Sequence, residues 1–198
     1  SSTSRGLGDV YKRQVLVLGA ERLTSVLDPS DRGTAFIFGD GAGAAIVGAS
    51  DHVGIGPTIW GSDGAAWEAI RPNVLEDGSP GPTITMQGQS VFRWAVWSMA
   101  PVALRAIDAA GLSVDDIDVF IPHQANVRII DAMAKQMKLP ERVVIARDIV
   151  DTANTSAASV PLAAERLVRE GQAKSGDLAL QIGFGAGLAY AAQVVEIP

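Results

Sequence analysis

The sequence contains no cysteine and only two histidines among its 198 residues. The missing cysteines exclude disulfide bonds, thiolate metal sites and a cysteine nucleophile within these residues. No other pattern of residues indicates a metal ligand set, and no metal site is predicted.

Long apolar runs and excess positive charge are also missing. No run approaches the roughly 20 apolar residues that span a bilayer, and no leader-like segment ending in a small-residue cleavage site opens the chain, so no membrane association and a cytoplasmic location are expected. The net charge of −6 argues against a nucleic acid partner, because binding nucleic acid requires a basic face. A local basic patch is still compatible with this net charge. With 47% hydrophobic residues the chain can form the core of one large domain or of part of a bigger one.

The first residues differ from the rest in composition. Residues 1–14 are polar and rich in glycine, and we interpret them as a tail or a fusion scar, with an ordinary disordered terminus as the alternative. A short apolar strand is predicted directly afterwards, at residues 15–20. Because a core strand begins so abruptly, we expect most of an N-terminal half to be missing, with residues 15–53 forming its end.

Glycines follow a second predicted strand at residues 34–38. A dinucleotide-binding loop would require a long helix after the glycines and an acidic residue about 20 positions further on. Residues 46–54 instead resemble strand and turn. We therefore predict a tight strand-to-strand turn at the glycines of residues 39–43, where glycine permits close backbone approach.

Residues 54–82 are rich in glycine, proline, aspartate and asparagine, and contain Trp60 and Trp67. The lack of periodicity predicts a long connection between two halves. Connections of this length are usually functional or covering. Two interpretations stay open: the segment shapes a substrate entrance, or it is a surface excursion packed by its tryptophans.

The remainder, residues 83–198, predicts alternating helices and strands. Helical spacing of apolar residues covers 91–110, with Pro101 expected to kink the helix and Gly111 to end it. The other predicted elements are a buried strand from residue 119 to Pro122, a helix from 127 that Pro140 terminates, a strand at 143–146, a helix at 159–170 and strands at 178–182 and 189–197. This order predicts an α/β layered fold, with a mixed, mostly parallel sheet and helices on both faces.

His123, Asn154 and residues 184–187 all follow predicted strands, where α/β proteins place their chemistry. A single histidine at such a position is often structural, and an asparagine before Thr155 and Ser156 is an ordinary helix cap. The separate residues therefore leave both interpretations open.

Together, these motifs resemble a known family. Residues 121–126 (IPHQAN), 154–159 (NTSAAS) and 184–187 (FGAG), with 85–88 (TMQG) and 38–43 (FGDGAG), closely resemble the C-terminal half of β-ketoacyl-acyl carrier protein synthase III. That family has the thiolase fold and initiates fatty-acid synthesis. The resemblance implies a thiolase-like fold and an acyltransferase that condenses acyl-CoA with malonyl-acyl carrier protein.

The resemblance also implies catalytic roles. It assigns His123 and Asn154 as the two donors that stabilise the enolate formed on decarboxylation, and Ala186 to the loop that forms the hole for the acyl oxygen. In the family a cysteine carries the acyl group, and we attribute its absence here to truncation. Ala153 and Ala186 stand where family members often have glycine.

The substrates implied are thioesters, with no further cofactor. By resemblance, Gly88, Phe92 and Asn126 line the channel for the pantetheine arm that CoA and acyl carrier protein share. The full-length enzyme is expected to be a homodimer.

Because acyl carrier protein is acidic, a basic docking face is expected. Arg93, Arg128 and Lys135 are the candidate residues, and steering by such a patch would fade with salt. The alternative is that Arg128 and Lys135 form helix-spaced ion pairs with Asp131 that only solvate a surface.

Two alternatives to the condensing enzyme of fatty-acid initiation stay open. One is another CoA-dependent condensing enzyme of the same fold. The other is a non-catalytic protein that binds acyl carrier protein, although such a scaffold has no need for both His123 and Asn154.

Overall fold

The computed structural model describes residues 14–198. The predicted tail or scar therefore lies outside the described residues, apart from Gln14. The strands are β1 (Val15–Arg22), β2 (Asp40–Val47), β3 (Ile59–Ser62), β4 (Ile70–Val74), β5 (Pro80–Met86), β6 (Val119–Pro122), β7 (Val144–Ile145), β8 (Leu178–Gly185) and β9 (Ala189–Glu196). The helices are α1 (Gly88–Ala109), α2 (Val127–Met137), α3 (Ile149–Thr152) and α4 (Ser159–Arg169).

A five-stranded sheet of order β3-β9-β8-β6-β7 organises the C-terminal part. Strand β6 runs parallel to β7 and β8, whereas β9 runs antiparallel to β8 and β3. The predicted mixed sheet is confirmed, although antiparallel pairs are as frequent as parallel ones. Strands β1 and β2 form a separate antiparallel pair, as do β4 and β5.

Helices cover both faces of this sheet, as predicted. Successive side chains of a strand point to opposite faces, and in β6 Phe120 packs in the cluster with α1 and α2, while Val119 and Ile121 pack in the cluster with α4. All four residues of β6 are buried. The strand that leads to His123 is therefore enclosed on both sides, which fixes its end in place.

The helix predictions hold closely. Helix α1 buries a stripe of small and apolar residues against the sheet, including Ala95, Met99, Ala103 and Ala106, and it continues through Pro101. Gly111 follows it with a φ of 74°, a conformation that glycine adopts without strain. Helix α2 ends at Met137, before Pro140.

Two predictions for residues 34–47 were wrong. Residues 34–37 form turns rather than a strand, because the Asp31 carboxylate accepts the backbone N–H of Gly33 at 2.8 Å and the hydroxyl of Thr34 at 2.6 Å. The glycines at 41 and 43 lie within the regular strand β2 rather than in a turn. The expected close approach is real: a Cβ on Gly43 would lie 2.7 Å from the Pro161 side chain.

The lack of regular structure expected for residues 54–82 was also wrong, whereas their place between two halves stays a prediction. This segment contains β3, which extends the central sheet beside β9, and β4, which pairs with β5. Trp60 and Trp67 are 79% and 54% exposed, so they do not pack this segment as one interpretation required. Ile70 of β4 instead lines the cavity described below, in line with the entrance interpretation.

Over residues 14–198, no helix has the length and apolarity needed to cross a membrane. The same residues contain no group of three or more histidine, cysteine, aspartate or glutamate side chains placed to hold a metal ion.

Candidate active site

A cavity of about 570 Å³ lies where β6 and β8 end, within the size range of small-molecule sites. Its wall is mainly apolar, with Leu23, Ile37, Ile84 and Met86 among its residues. Polar side chains of His123 and Asn154 interrupt this surface. Such a wall suits an apolar substrate part held next to a few oriented polar groups.

His123 follows β6 directly and is held from three sides. Its backbone N–H donates to the carbonyl of Ile182 in β8 at 2.7 Å. Its Nδ1 lies 2.7 Å from the Ser159 hydroxyl, and Phe184 packs against the ring at a centroid distance of 5.1 Å and an interplanar angle of 86°. Among the described residues Nε2 has no hydrogen-bond partner, so it is the ring nitrogen free to meet a ligand in the cavity.

Burial lowers the pKa of His123 from 6.5 to about 4. Removing the imidazolium from water is costly, and no described carboxylate forms an ion pair with this ring to offset that cost. The ring is therefore neutral near pH 7. A neutral imidazole can donate from one nitrogen while the other accepts.

Asn154 is fixed through both its backbone and its side chain. Its N–H donates to the carbonyl of Ile37, and its carbonyl accepts the N–H of Gly39, each at 3.0 Å. Its side-chain Oδ1 accepts the N–H of Ser156 at 2.9 Å. Nothing among residues 14–198 accepts a hydrogen bond from its Nδ2, so this side chain offers the cavity a donor.

The backbone around Asn154 is strained. Ala153 has a φ of 58° and a ψ of −167°, and Ser156 has a φ of 52°. Residues with side chains rarely adopt such angles, which cost about 1–3 kcal/mol each and cluster at functional sites. The glycine that the resemblance leads one to expect before Asn154 would suit the conformation of Ala153 better.

The remaining cavity candidates line the same cavity. Gly88 begins α1, Phe92 follows one turn later, and Ala186 lies just beyond β8. Asn126 also lines the cavity, and its Oδ1 caps α2 by accepting the N–H of Arg128 at 2.8 Å. The structure thus brings six of the predicted residues together, although their roles stay predictions.

The three basic candidates lie outside the cavity. Arg93, Arg128 and Lys135 are exposed, and none lines the cavity. The ion pairs expected within α2 do not form, because Asp131 pairs with Arg147 from the segment before α3. Over the described residues, Arg128 and Lys135 have no acidic partner within ion-pair distance.

Sequence reasoning gave no role to Gln124 or Ser159, although both lie inside the quoted motifs. Gln124 is fully buried, donates from Nε2 to the carbonyl of Pro122 at 2.7 Å, and accepts the N–H of Ile149 at Oε1 at 3.1 Å. It therefore joins the His123 loop to α3, which leads to Asn154. Only the position of Gln124 directly after His123 could have indicated this function.

Chemically, the site presents the Asn154 amide nitrogen and the free Nε2 of His123 in one mainly apolar cavity, and Nε2 donates when it carries the hydrogen of the neutral ring. Donors fixed in advance stabilise negative charge most effectively where water is excluded. An oxygen that gains charge during a reaction, such as the oxygen of a thioester enolate, matches this arrangement.

Comparison with known proteins identifies the family of this chain. The family model described as 3-oxoacyl-[acyl-carrier-protein (ACP)] synthase III C terminal matches residues 107–197, and that described as 3-oxoacyl-[acyl-carrier-protein (ACP)] synthase III matches residues 8–64. The chain is 59% identical to β-ketoacyl-[acyl-carrier-protein] synthase III 1 of Streptomyces coelicolor, over 93% of this chain and 58% of that protein. It is 60% identical to the synthase III of Streptomyces glaucescens, over 93% of this chain and 57% of that protein.

Solved structures agree in fold. The priming β-ketosynthase of the R1128 polyketide biosynthetic pathway superposes with a TM-score of 0.88 at 49% identity, over 94% of this chain and 57% of that one. The synthase III of Thermus thermophilus superposes with a TM-score of 0.85 at 39% identity, over 96% of this chain and 63% of that one. The chain thus spans a little over half the length of the curated relatives it matches, and its fold is thiolase-like. Most of its residues fall within the two family models, and the chain belongs to the 3-oxoacyl-[acyl-carrier-protein] synthase III family.

Proposed function

We propose that the protein carrying this chain condenses an acyl-CoA primer with malonyl-acyl carrier protein to form 3-ketoacyl-acyl carrier protein, which initiates fatty-acid synthesis. The observation that carries the proposal is that His123 and Asn154 line the same cavity. Nδ1 of His123 and Oδ1 of Asn154 are already hydrogen-bonded, which leaves Nε2 and Nδ2 for a ligand. Family membership supplies the substrate class, and the geometry supports the decarboxylative step.

In that step the bond between the malonyl α-carbon and its carboxylate breaks and carbon dioxide leaves. The electron pair stays on the α-carbon and is delocalised onto the thioester oxygen. His123 and Asn154 would donate hydrogen bonds to this oxygen. Each such donor contributes about 3–4 kcal/mol to transition-state stabilisation.

The carbanion then attacks the carbonyl carbon of the primer thioester. The new carbon–carbon bond forms first and gives a tetrahedral oxyanion, which the Ala186 loop would stabilise through a backbone N–H. The thiolate leaves when this intermediate collapses. These 198 residues contain no cysteine. We therefore assign the acyl-carrying nucleophile to a part of the enzyme outside them.

Gly88, Phe92 and Asn126 would line the path of the pantetheine arm, since they lie on the wall of the same cavity. The exposed cations Arg93, Arg128 and Lys135 would meet the acidic acyl carrier protein. Arg128 supports this best, because it lies in the first turn of α2, two residues after the cavity residue Asn126. We place the active enzyme in the cytoplasm as a homodimer.

A second candidate is the priming condensation of a polyketide pathway. It is favoured by the 49% identity to the priming β-ketosynthase of the R1128 pathway. The chemistry is the same, and only the primer and the carrier protein that presents the malonyl group differ.

The test uses the protein as its gene encodes it, incubated with malonyl-acyl carrier protein and a panel of acyl-CoA primers. Mass spectrometry of the carrier protein should detect the 3-ketoacyl adduct. Product formed only with a polyketide carrier protein would select the second candidate. Binding of the carrier protein with neither condensation nor decarboxylation would overturn both and favour a non-catalytic partner.

A further inference from the structure

The hydroxyl of Ser159 is the closest polar neighbour of the His123 ring. Its Oγ lies 2.7 Å from Nδ1, although 36 residues separate the two in the chain. Ser159 is 1% exposed and is the first residue of α4. Water therefore has little access to this contact. Because buried polar atoms need hydrogen-bond partners, Ser159 Oγ and His123 Nδ1 must serve as partners for each other.

A second donor determines the direction of this hydrogen bond. The backbone N–H of Gln124 also donates to Ser159 Oγ, at 3.2 Å. A serine hydroxyl has one hydrogen to donate and can accept two hydrogen bonds. Within residues 14–198, no carbonyl or carboxylate oxygen accepts the Ser159 hydrogen, which leaves His123 Nδ1 as its acceptor.

The opposite direction fits poorly. If Nδ1 carried the ring hydrogen, Ser159 Oγ would accept from both Nδ1 and Gln124, and its own hydrogen would be buried without a partner. Buried donors without partners are rare because they lose their hydrogen bond to water. The arrangement that satisfies every group has the serine donating and the hydrogen of the neutral ring on Nε2.

We propose that Ser159 is a positioning residue that donates to Nδ1 of His123 and so holds the imidazole in the tautomer whose Nε2–H faces the cavity. This inference rests on the proposed function, in which Nε2–H donates to the thioester oxygen. Ser159 itself touches no reacting atom. The edge of the ring against Phe184 fixes the ring plane, and Ser159 fixes which nitrogen is the donor.

Nitrogen-15 NMR of the histidine rings tests the tautomer without turnover. These 198 residues contain two histidines. The His123 signals are therefore assigned in the full-length protein as those lost in His123→Gln and kept in His52→Gln. Long-range proton–nitrogen correlations at neutral pH should show His123 protonated at Nε2. In Ser159→Ala a population protonated at Nδ1 should appear. A wild-type ring protonated at Nδ1, or a Ser159→Ala ring with unchanged tautomer, would overturn the inference.

Ser50→Ala provides a matched control, because Ser50 Oγ lies 3.2 Å from Nδ1 of the other histidine, His52. It should leave the His123 spectrum unchanged. If this variant shifted the His123 tautomer as much as Ser159→Ala does, the specific role of Ser159 would be refuted.

Kinetics provide the second measurement. Decarboxylation of a malonyl thioester by Ser159→Ala should lose about 10- to 100-fold in kcat, the range seen when the partner that fixes a metal-bound histidine is removed, with KM little changed. Ser159→Thr keeps the hydroxyl and should recover most of kcat. A loss confined to KM would contradict the inference. A wild type with the Nε2–H tautomer but no decarboxylation would overturn the proposed function alone.

Discussion

The amide oxygen of Asn154 accepts the backbone N–H of Ser156 at 2.9 Å, two residues further along the chain. This bond orients the amide so that its nitrogen is the atom left for a ligand. Asn154 cannot titrate, so it donates at any pH. The local turn, rather than a distant partner, therefore determines the polarity of this part of the cavity.

Replacing Asn154 with aspartate should abolish decarboxylation more completely than replacing it with alanine. Alanine removes one donor, for which a loss of about 10²- to 10³-fold in kcat is expected. Aspartate keeps the shape of the side chain and the hydrogen bond from the Ser156 N–H. It places a carboxylate oxygen, instead of the donor N–H, next to the thioester oxygen that gains negative charge. Rates of acetyl thioester formation measure this, and an aspartate variant as active as wild type would refute the donor role.

Acid should destabilise the protein through His123. Its pKa is lowered to about 4 in the folded state from 6.5. Between these values the unfolded chain binds a proton that the folded protein does not, so stability falls as pH falls through this window. Relative to His123→Gln, the wild type should lose about 2 kcal/mol of unfolding free energy between pH 7 and pH 5. Denaturant titrations at both pH values measure the difference. If wild type and His123→Gln lost the same unfolding free energy, the lowered pKa of buried His123 would be contradicted.

Ala153→Gly should stabilise the protein. Glycine relieves the strain at a φ of 58° and a ψ of −167°, and the expected net gain is about 1 kcal/mol after its greater unfolded-state entropy is subtracted. Ala157→Gly is the matched control, since Ala157 is exposed and is not among the residues with positive φ. Chemical denaturation should show a loss for the control, and a loss in both variants would contradict the assignment of strain.

Reversing the charge of Arg128 and Lys135 together should raise KM for malonyl-acyl carrier protein by about tenfold at low salt. The values for malonyl-pantetheine should stay unchanged, because it presents the same arm without the acidic protein and without the phosphates of CoA. Lys174→Glu is the control: it is exposed and precedes β8, whereas the cavity lies where β8 ends. Equal effects on both substrates, or an equal effect in the control, would rule out this docking surface.

Much of the site follows from local patterns. The apolar run ending at Pro122 predicts the strand that places His123, and helical spacing predicts α1 within a few residues of its bounds. Strand β2 was missed because its glycines and alanines have low β propensity. At Gly43 the close packing of Pro161 leaves no room for a side chain, since an added Cβ would lie 2.7 Å from it.

Other features depend on distant partners. Asp131 pairs with Arg147 rather than within its own helix, and the contact between His123 and Ser159 joins two separate elements. Neither contact leaves a periodic pattern in the sequence. The conformation of Ala153 was equally hidden, since alanine gives no local reason for a positive φ.

The central claim is that His123 and Asn154 stabilise the enolate of a malonyl thioester, and decarboxylation of malonyl-acyl carrier protein tests it most directly. The wild type should form acetyl-acyl carrier protein, and His123→Ala should reduce kcat by about 10²- to 10³-fold. His52→Ala should keep the wild-type rate, because His52 is exposed and pairs with Glu196 instead. Unchanged decarboxylation by both His123→Ala and Asn154→Ala would contradict the account.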